Sequence, residues 1–130
     1  MTVKDMKTSL DVIQSLTPAA RTATATGTAA DLQGYDSAMV LVSVGTCTDG
    51  THTPSLEHSV DGVSYAAVTA SDLLGSFTAI TSGAGAASVQ RVGYVGERRY
   101  LRVVMTVTGA TTGAVYGADI LRGSPHRRPL

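Results

Sequence analysis

Ser37-Ala-Met-Val-Leu-Val-Ser-Val-Gly-Thr46 and Arg99-Tyr-Leu-Arg-Val-Val-Met-Thr-Val-Thr108 are the two stretches that decide the fold of this chain. Successive side chains of an extended backbone alternate between faces, so in the first stretch Val40, Val42 and Val44 point one way and Met39 and Leu41 the other. A strand that is apolar on both sides belongs in the middle of a sheet, covered above and below. In the second stretch Leu101, Val103, Met105 and Val107 form one apolar face. Tyr100, Arg102, Val104 and Thr106 form a mixed opposite face that is open to a neighbour. Neither stretch recurs at three and four residues, so neither is a helix.

Working outward, shorter segments with strand character lie at 9–14, 21–26, 55–60, 64–68, 88–92 and 114–122. Asp61-Gly62 separates Leu56, His58 and Val60 from Tyr65 and Val68, and an Asp-Gly pair takes the positive φ angles of a tight hairpin turn. Asp49-Gly50 and residues 108–113 are further turns. Residues 67–74 hold at most one helical turn, capped by Ser71 or Asp72 and stopped by Gly75. Ser82-Gly-Ala-Gly-Ala-Ala87 reads first as a flexible loop and second as a segment packed against another backbone.

These elements predict an all-β chain, a single-domain β-sandwich or jelly roll with extended N- and C-terminal segments. Its divisions are a partly extended arm at 1–20, a sandwich at 21–122 and a tail at 123–130. Alone, both ends should fray, and partner subunits are expected to pin them.

The 130 residues leave no room for a cofactor domain beside a catalytic one. Charged residues make up only 15%, and Gly, Ala, Ser and Thr fill nearly half the chain. Ten cations balance ten acids, which gives no global field toward nucleic acid and little repulsion between copies. A single cysteine, Cys47, excludes an internal disulfide and a multi-cysteine zinc site. No apolar run approaches the roughly 18 residues of a membrane helix, and Met1-Thr-Val-Lys-Asp-Met-Lys7 leads into no apolar run of about 7 to 15 residues.

Cys47, Asp49, His52 and His58 crowd together and invite a metal reading, but their spacing is poor. His52 is expected in a turn, His58 on a strand beside Leu56 and Val60 as a partly buried, hydrogen-bonded side chain, and Cys47 at a strand end as a small apolar residue. No Gly-x-Ser-x-Gly elbow occurs, and Gly83-x-Gly85 lacks the strand, helix and third glycine of a dinucleotide loop. The expectation is a non-enzymatic protein with no catalytic, metal or cofactor-binding residue and no small-molecule substrate.

Charge is unevenly placed. Residues 1–90 carry three cations against eight acids, whereas residues 91–130 carry seven arginines against Glu97 and Asp119. Arginine binds carboxylates in two-point fashion and is enriched at interfaces. Arg98, Arg99, Arg102, Arg122, Arg127 and Arg128 are therefore the candidate partner-binding residues. Local pairing with acids from the first part of the chain is an equal reading for Arg98, Arg99 and Arg102, while Arg127 and Arg128 favour docking onto an acidic neighbour. A nucleic-acid face would use Tyr94 and Tyr100 as stacking platforms, but aromatics are sparse and nucleic acid is not the expected partner.

Pro18-Ala-Ala-Arg-Thr22, Gly34-Tyr-Asp-Ser-Ala-Met-Val40, Val44-Gly-Thr-Cys-Thr-Asp-Gly-Thr-His-Thr-Pro54, Val92-Gly-Tyr-Val-Gly-Glu-Arg-Arg-Tyr-Leu-Arg-Val103 and Thr108-Gly-Ala-Thr-Thr-Gly-Ala114 together resemble a family of small virion proteins of tailed bacteriophages. The likeness spans residues 18–130. It implies a structural part made in the host cytoplasm and carried in the virion, foremost a decoration or cement protein on the capsid surface. Its partners would be the major capsid protein and neighbouring copies of itself, by analogy a trimer at local three-fold positions. A head-tail joining or tail component is the alternative role, and a carbohydrate-binding β-sandwich module a further one. Ser59-Val-Asp-Gly-Val-Ser-Tyr65 and Arg99-Tyr-Leu-Arg-Val103 are also similar to discoidin-like jelly rolls, a likeness of fold more than of activity.

Overall fold

A computed structural model describes residues 5–126. Ten strands follow in chain order: β1 (Leu10–Arg21), β2 (Ala25–Thr26), β3 (Ala30–Asp31), β4 (Tyr35–Cys47), β5 (Thr51–Ser59), β6 (Ala66–Ala67), β7 (Leu73–Leu74), β8 (Val89–Tyr94), β9 (Tyr100–Thr108) and β10 (Ala114–Pro125). They form two antiparallel sheets packed face to face, a β-sandwich. Sheet A has the order β1-β10-β4-β8-β7; sheet B has the order β2-β9-β5-β6, with β3 also paired to β9. A single 3-10 turn, Ala70–Asp72, precedes β7, with Thr69 rather than Ser71 or Asp72 at its N-cap position.

The core forms where the two inner faces meet. Sheet A contributes Leu16, Val40, Val42, Val44, Val92, Tyr94, Tyr116, Ala118 and Ile120, and sheet B contributes Leu56, Leu101, Val103 and Met105, all buried. Burying such side chains is the main favourable contribution to folding, at about 25 cal/mol per Å² of apolar surface. The Arg99–Thr108 alternation has the predicted sense, with Leu101, Val103 and Met105 inward and Tyr100, Arg102, Val104 and Thr106 outward.

β4 is central, between β10 and β8, but it is covered on one face only. Val40, Val42 and Val44 are buried, whereas Met39 and Leu41 are half-exposed on the outside of the sandwich. Among the described residues the two-sided apolar pattern is met on one side alone.

The boundaries also differ from the expected ones. Leu10–Arg21 is not an arm but an edge strand, paired with β10 from Leu10↔Gly123 to Arg21↔Ala114. Two register shifts, between Gln14 and Leu16 and between Leu16 and Ala19, break its alternation, which is why only 9–14 reads as strand in the sequence. Pro18 is tolerated there because β1 has a neighbour on one side only. At the other end Gly123, Ser124 and Pro125 continue β10 opposite Ser37 and Tyr35, so the sandwich runs from Leu10 to Pro125. The expected strand at 21–26 shrinks to Ala25–Thr26.

β5 and β6 do form a hairpin, with His58 opposite Ala66, but its connection is longer than a two-residue turn. Asp61 accepts hydrogen bonds from the Val63 and Ser64 amides and from the Ser59 hydroxyl, and these hold its carboxyl down to about 2. Residues 82–87 take the second of their two readings: the Ala87 amide donates to the Gly45 carbonyl at 2.7 Å, and Ala86 packs against the core.

Candidate functional site

The polar side chains that suggested chemistry are held by partners inside the fold. His52 is not in a turn but in β5, fully buried. Its Nε2 donates to the Asp49 carbonyl at 3.1 Å, since that oxygen can only accept, and its Nδ1 meets the Tyr116 hydroxyl at 3.0 Å. His58 is buried beside Leu56, and its Nδ1 lies 2.8 Å from the Tyr94 hydroxyl, which in turn accepts the Arg98 amide. Burial, helped by the Arg98 charge, pushes the His58 ring below its ordinary value, so the neutral imidazole accepts the tyrosine proton. Burial also raises Tyr94, and it pushes Tyr116 up to about 12.

Cys47 ends β4, is buried, and sends its thiol toward the Asp49 carbonyl; burial raises its pKa, so it is protonated. The Asp49 carboxylate accepts the amides of Thr111, Thr112 and Gly113, the last at 2.6 Å. These bonds, that from Gly113 foremost, lower its pKa and fix the β9–β10 connection. Gly113 has φ +82°, and a Cβ there would collide with the Arg21 carbonyl. Among the described residues no three His, Cys, Asp or Glu side chains converge as a metal site.

The candidate arginines divide into groups. Arg99 forms a two-point contact with Asp31, at 2.8 and 2.7 Å, and its guanidinium lies 5.0 Å from the Tyr100 ring centre. Arg102 binds Glu57 at 2.6 Å and covers Tyr65 at 3.7 Å. Arg122 pairs with Asp11, donates to the Asp31 carbonyl at 2.7 Å across the gap between the sheets, and lies 4.3 Å from Tyr35. Each of these three is held between a carboxylate and an aromatic ring, and each carboxylate comes from residues 1–90. Local pairing therefore accounts for Arg99, Arg102 and Arg122. The Arg99 guanidinium lowers the Asp31 carboxyl, and burial lowers Arg122.

Arg98 is different: its side chain is exposed and pairs with no described acid. It stands over an open cleft between the Leu32–Ala38 segment and the 94–99 connection, lined by Leu32, Tyr35, Tyr94, Glu97 and Arg99. Arg127 and Arg128 lie outside the described residues. The backbone leads to them from His126, whose amide donates to the Gly34 carbonyl and whose ring lies 2.8 Å from Asp36. The five tyrosines are thus all engaged: Tyr94 and Tyr116 with histidines, Tyr35, Tyr65 and Tyr100 beneath arginines. Tyr94 is buried and cannot serve as the stacking platform considered for it.

Topology gathers what remains at one end of the sandwich. Leu10 pairs with Gly123 and Gly123 with Ser37, so both chain ends leave sheet A side by side. The same end carries Tyr35, Tyr94, Arg98 and Arg99. This convergence was not legible in the sequence, because it depends on β1 and β10 being neighbours. Comparison of the chain with protein-family models and with curated proteins returns no match in either.

Proposed function

We propose that this chain is a non-enzymatic structural protein of a bacteriophage virion, a decoration or cement subunit that binds the major capsid protein and stabilises the shell. The resemblance of its quoted blocks to small phage virion proteins supplies the family. The observation that carries the reading is that both chain ends leave the sandwich at one end, beside the exposed Arg98. The buried His52 and His58, the thiol and three of the arginines serve the fold itself. The sandwich is then a rigid body, and Arg98 with the terminal segments supplies its adhesive end. Several weak contacts per copy, made together, detach far more slowly than any one of them.

Imaging of intact particles tests the role. Density for the sandwich on the shell, with its Arg98 end toward the capsid and hundreds of copies per particle, is the expected result. A single ring of copies at the vertex would assign it to the head-tail joint, and absence from particles would overturn a virion role. Binding of purified protein to undecorated shells should weaken at least tenfold when Arg98→Glu is combined with removal of residues 127–130, with thermal unfolding unchanged.

A further inference from the structure

The outer face of sheet A carries apolar side chains that no described residue covers. Val12 is 54% exposed, Leu74 65%, Val89 61% and Val115 44%, and Leu10, Met39, Leu41 and Leu121 lie half-exposed among them. One row crosses all five strands, Val12–Leu121–Met39–Gly93–Leu74. Patches of this kind on a soluble domain mark contact surfaces.

The pattern on either side of β4 says what covers it. In three successive outward rows, the residue on β10 and its counterpart on β8 differ in kind, and in the middle row they are opposite charges. Leu121 and Gly93 flank Met39, Asp119 and Arg91 flank Leu41, and Gly117 and Val89 flank Ser43. The middle row pairs a charge with its opposite, and in the other two a larger side chain stands across β4 from a glycine that a neighbouring strand of the same chain covers, Gly93 by Leu74 and Gly117 by Pro18. Pro18 covers the buried Gly117 and lines a depression with Ser43, Gly45 and Val115. Neither Arg91 nor Asp119 makes an ion pair among the described residues. Strands are spaced about 4.8 Å, so the two charges are about 10 Å apart, one on each flank of β4.

We propose that this face pairs two copies of the chain, sheet on sheet, about a two-fold axis running along β4. Rotation about that axis exchanges the β10 flank with the β8 flank. Asp119 then meets the partner's Arg91, Leu121 and Val12 meet the partner's Leu74, which lies over Gly93, and Val89 meets the partner's Pro18 beside Gly117. Each contact occurs twice, as an isologous interface requires. An axis across the strands would instead set Arg91 against Arg91 and Asp119 against Asp119. The face measures about 20 by 27 Å from strand spacing and rise, so two copies bury on the order of 1,000 Å², the lower bound for a specific interface. Rotation along the strands also leaves both Arg98 ends pointing the same way.

The pairing stands on this face alone and does not rest on the virion role. Sedimentation of the full chain between about 1 and 100 µM should show a monomer–dimer equilibrium. Arg91→Glu and Asp119→Arg should each weaken it about tenfold or more, because each turns two attractive contacts into repulsive ones. An equimolar mixture of the two variants should form a heterodimer, since each then supplies what the other lacks, and the double variant should recover self-association. Leu41→Cys, on the axis, should join two copies through a thiol-to-thiol cross-linker of about 10 Å, while the natural chain, whose Cys47 is buried, should not. A chain that stays monomeric at 100 µM, a trimer, or single variants whose mixture fails to associate would overturn the proposal. A dimer missing from particles overturns only the virion role, and a monomer bound to shells overturns only the pairing.

Discussion

The two outer faces of this sandwich are built from the same strand geometry and differ in what they show to water. Sheet B presents Thr53, Ser55 and Glu57 on β5 opposite Thr106, Val104 and Arg102 on β9, and Val104 lies between Ser55 and Thr26. Water or a neighbouring side chain satisfies the polar groups of this set, and Val104 is its one apolar side chain. Sheet A surrounds Ser43, Arg91 and Asp119 with Leu10, Val12, Met39, Leu41, Leu74, Leu121 and Val89, apolar side chains that water does not satisfy. Exposed apolar area has the same free-energy tendency as the core, about 25 cal/mol per Å² toward burial. A sheet thus tells its partner by what its outer side lacks.

That contrast can be broken or sharpened by substitution. The largest effect belongs to the inside of sheet B: Leu101→Ala should destabilise the fold by about 2–5 kcal/mol, through lost burial and the cavity left behind. Chemical denaturation measures it, and an unchanged midpoint would mean that the inner face is misassigned. Tyr116→Phe removes the hydroxyl that meets His52 Nδ1 and should cost about 1–3 kcal/mol, because a fully buried ring nitrogen loses its partner. Arg102→Ala, on the outer side of sheet B, removes the Glu57 contact and the cover over Tyr65; with both side chains partly exposed, about 1 kcal/mol or less is expected. Met39→Ser, its counterpart on sheet A, should leave the unfolding of dilute protein within about 0.5 kcal/mol and show its effect only where copies associate.

The smallest effect is a pH dependence. The folded His58 ring titrates below its unfolded value of 6.5, so between the two values the unfolded chain binds the extra proton. Its contribution to stability is complete above about 6.5 and is lost as pH falls from there through the lowered folded value. The melting temperature should decline over that interval, and His58→Gln should flatten the decline. A natural chain whose melting temperature does not change between pH 7.5 and 5 would contradict the assignment of a neutral, accepting His58.

Much of this was legible in the residues. The alternation in β4 and β9 gives the class, the inner face of β9 and the central place of β4, since side-chain direction along a strand is a local property of the backbone. His58 and Cys47 could be read as structural because each sits among apolar neighbours in its own strand. His52 could not, since it follows Asp49-Gly50, and only the pairing of β5 with β9 draws it into the core. Arg99, Arg102 and Arg122 looked like one basic cluster because seven cations follow residue 90. Their acids come from β1, β3 and β5, up to 111 residues away in the chain. Met39 and Leu41 carried the clearest signal of the outer face, although the sequence suggested that the chain itself would cover them.

By itself the sequence determined the local choices: extended backbone, turn positions, and which side chains share a face, all of which depend on neighbours two to four residues apart. Only the tertiary structure decided which strands are adjacent, and with that which arginine meets which carboxylate, which histidine is sealed inside, where the two chain ends emerge and which sheet face is left apolar. Those outcomes arise from contacts between residues far apart in the chain. Their register is set by the requirement that two inner faces close on one core, and no local pattern encodes it.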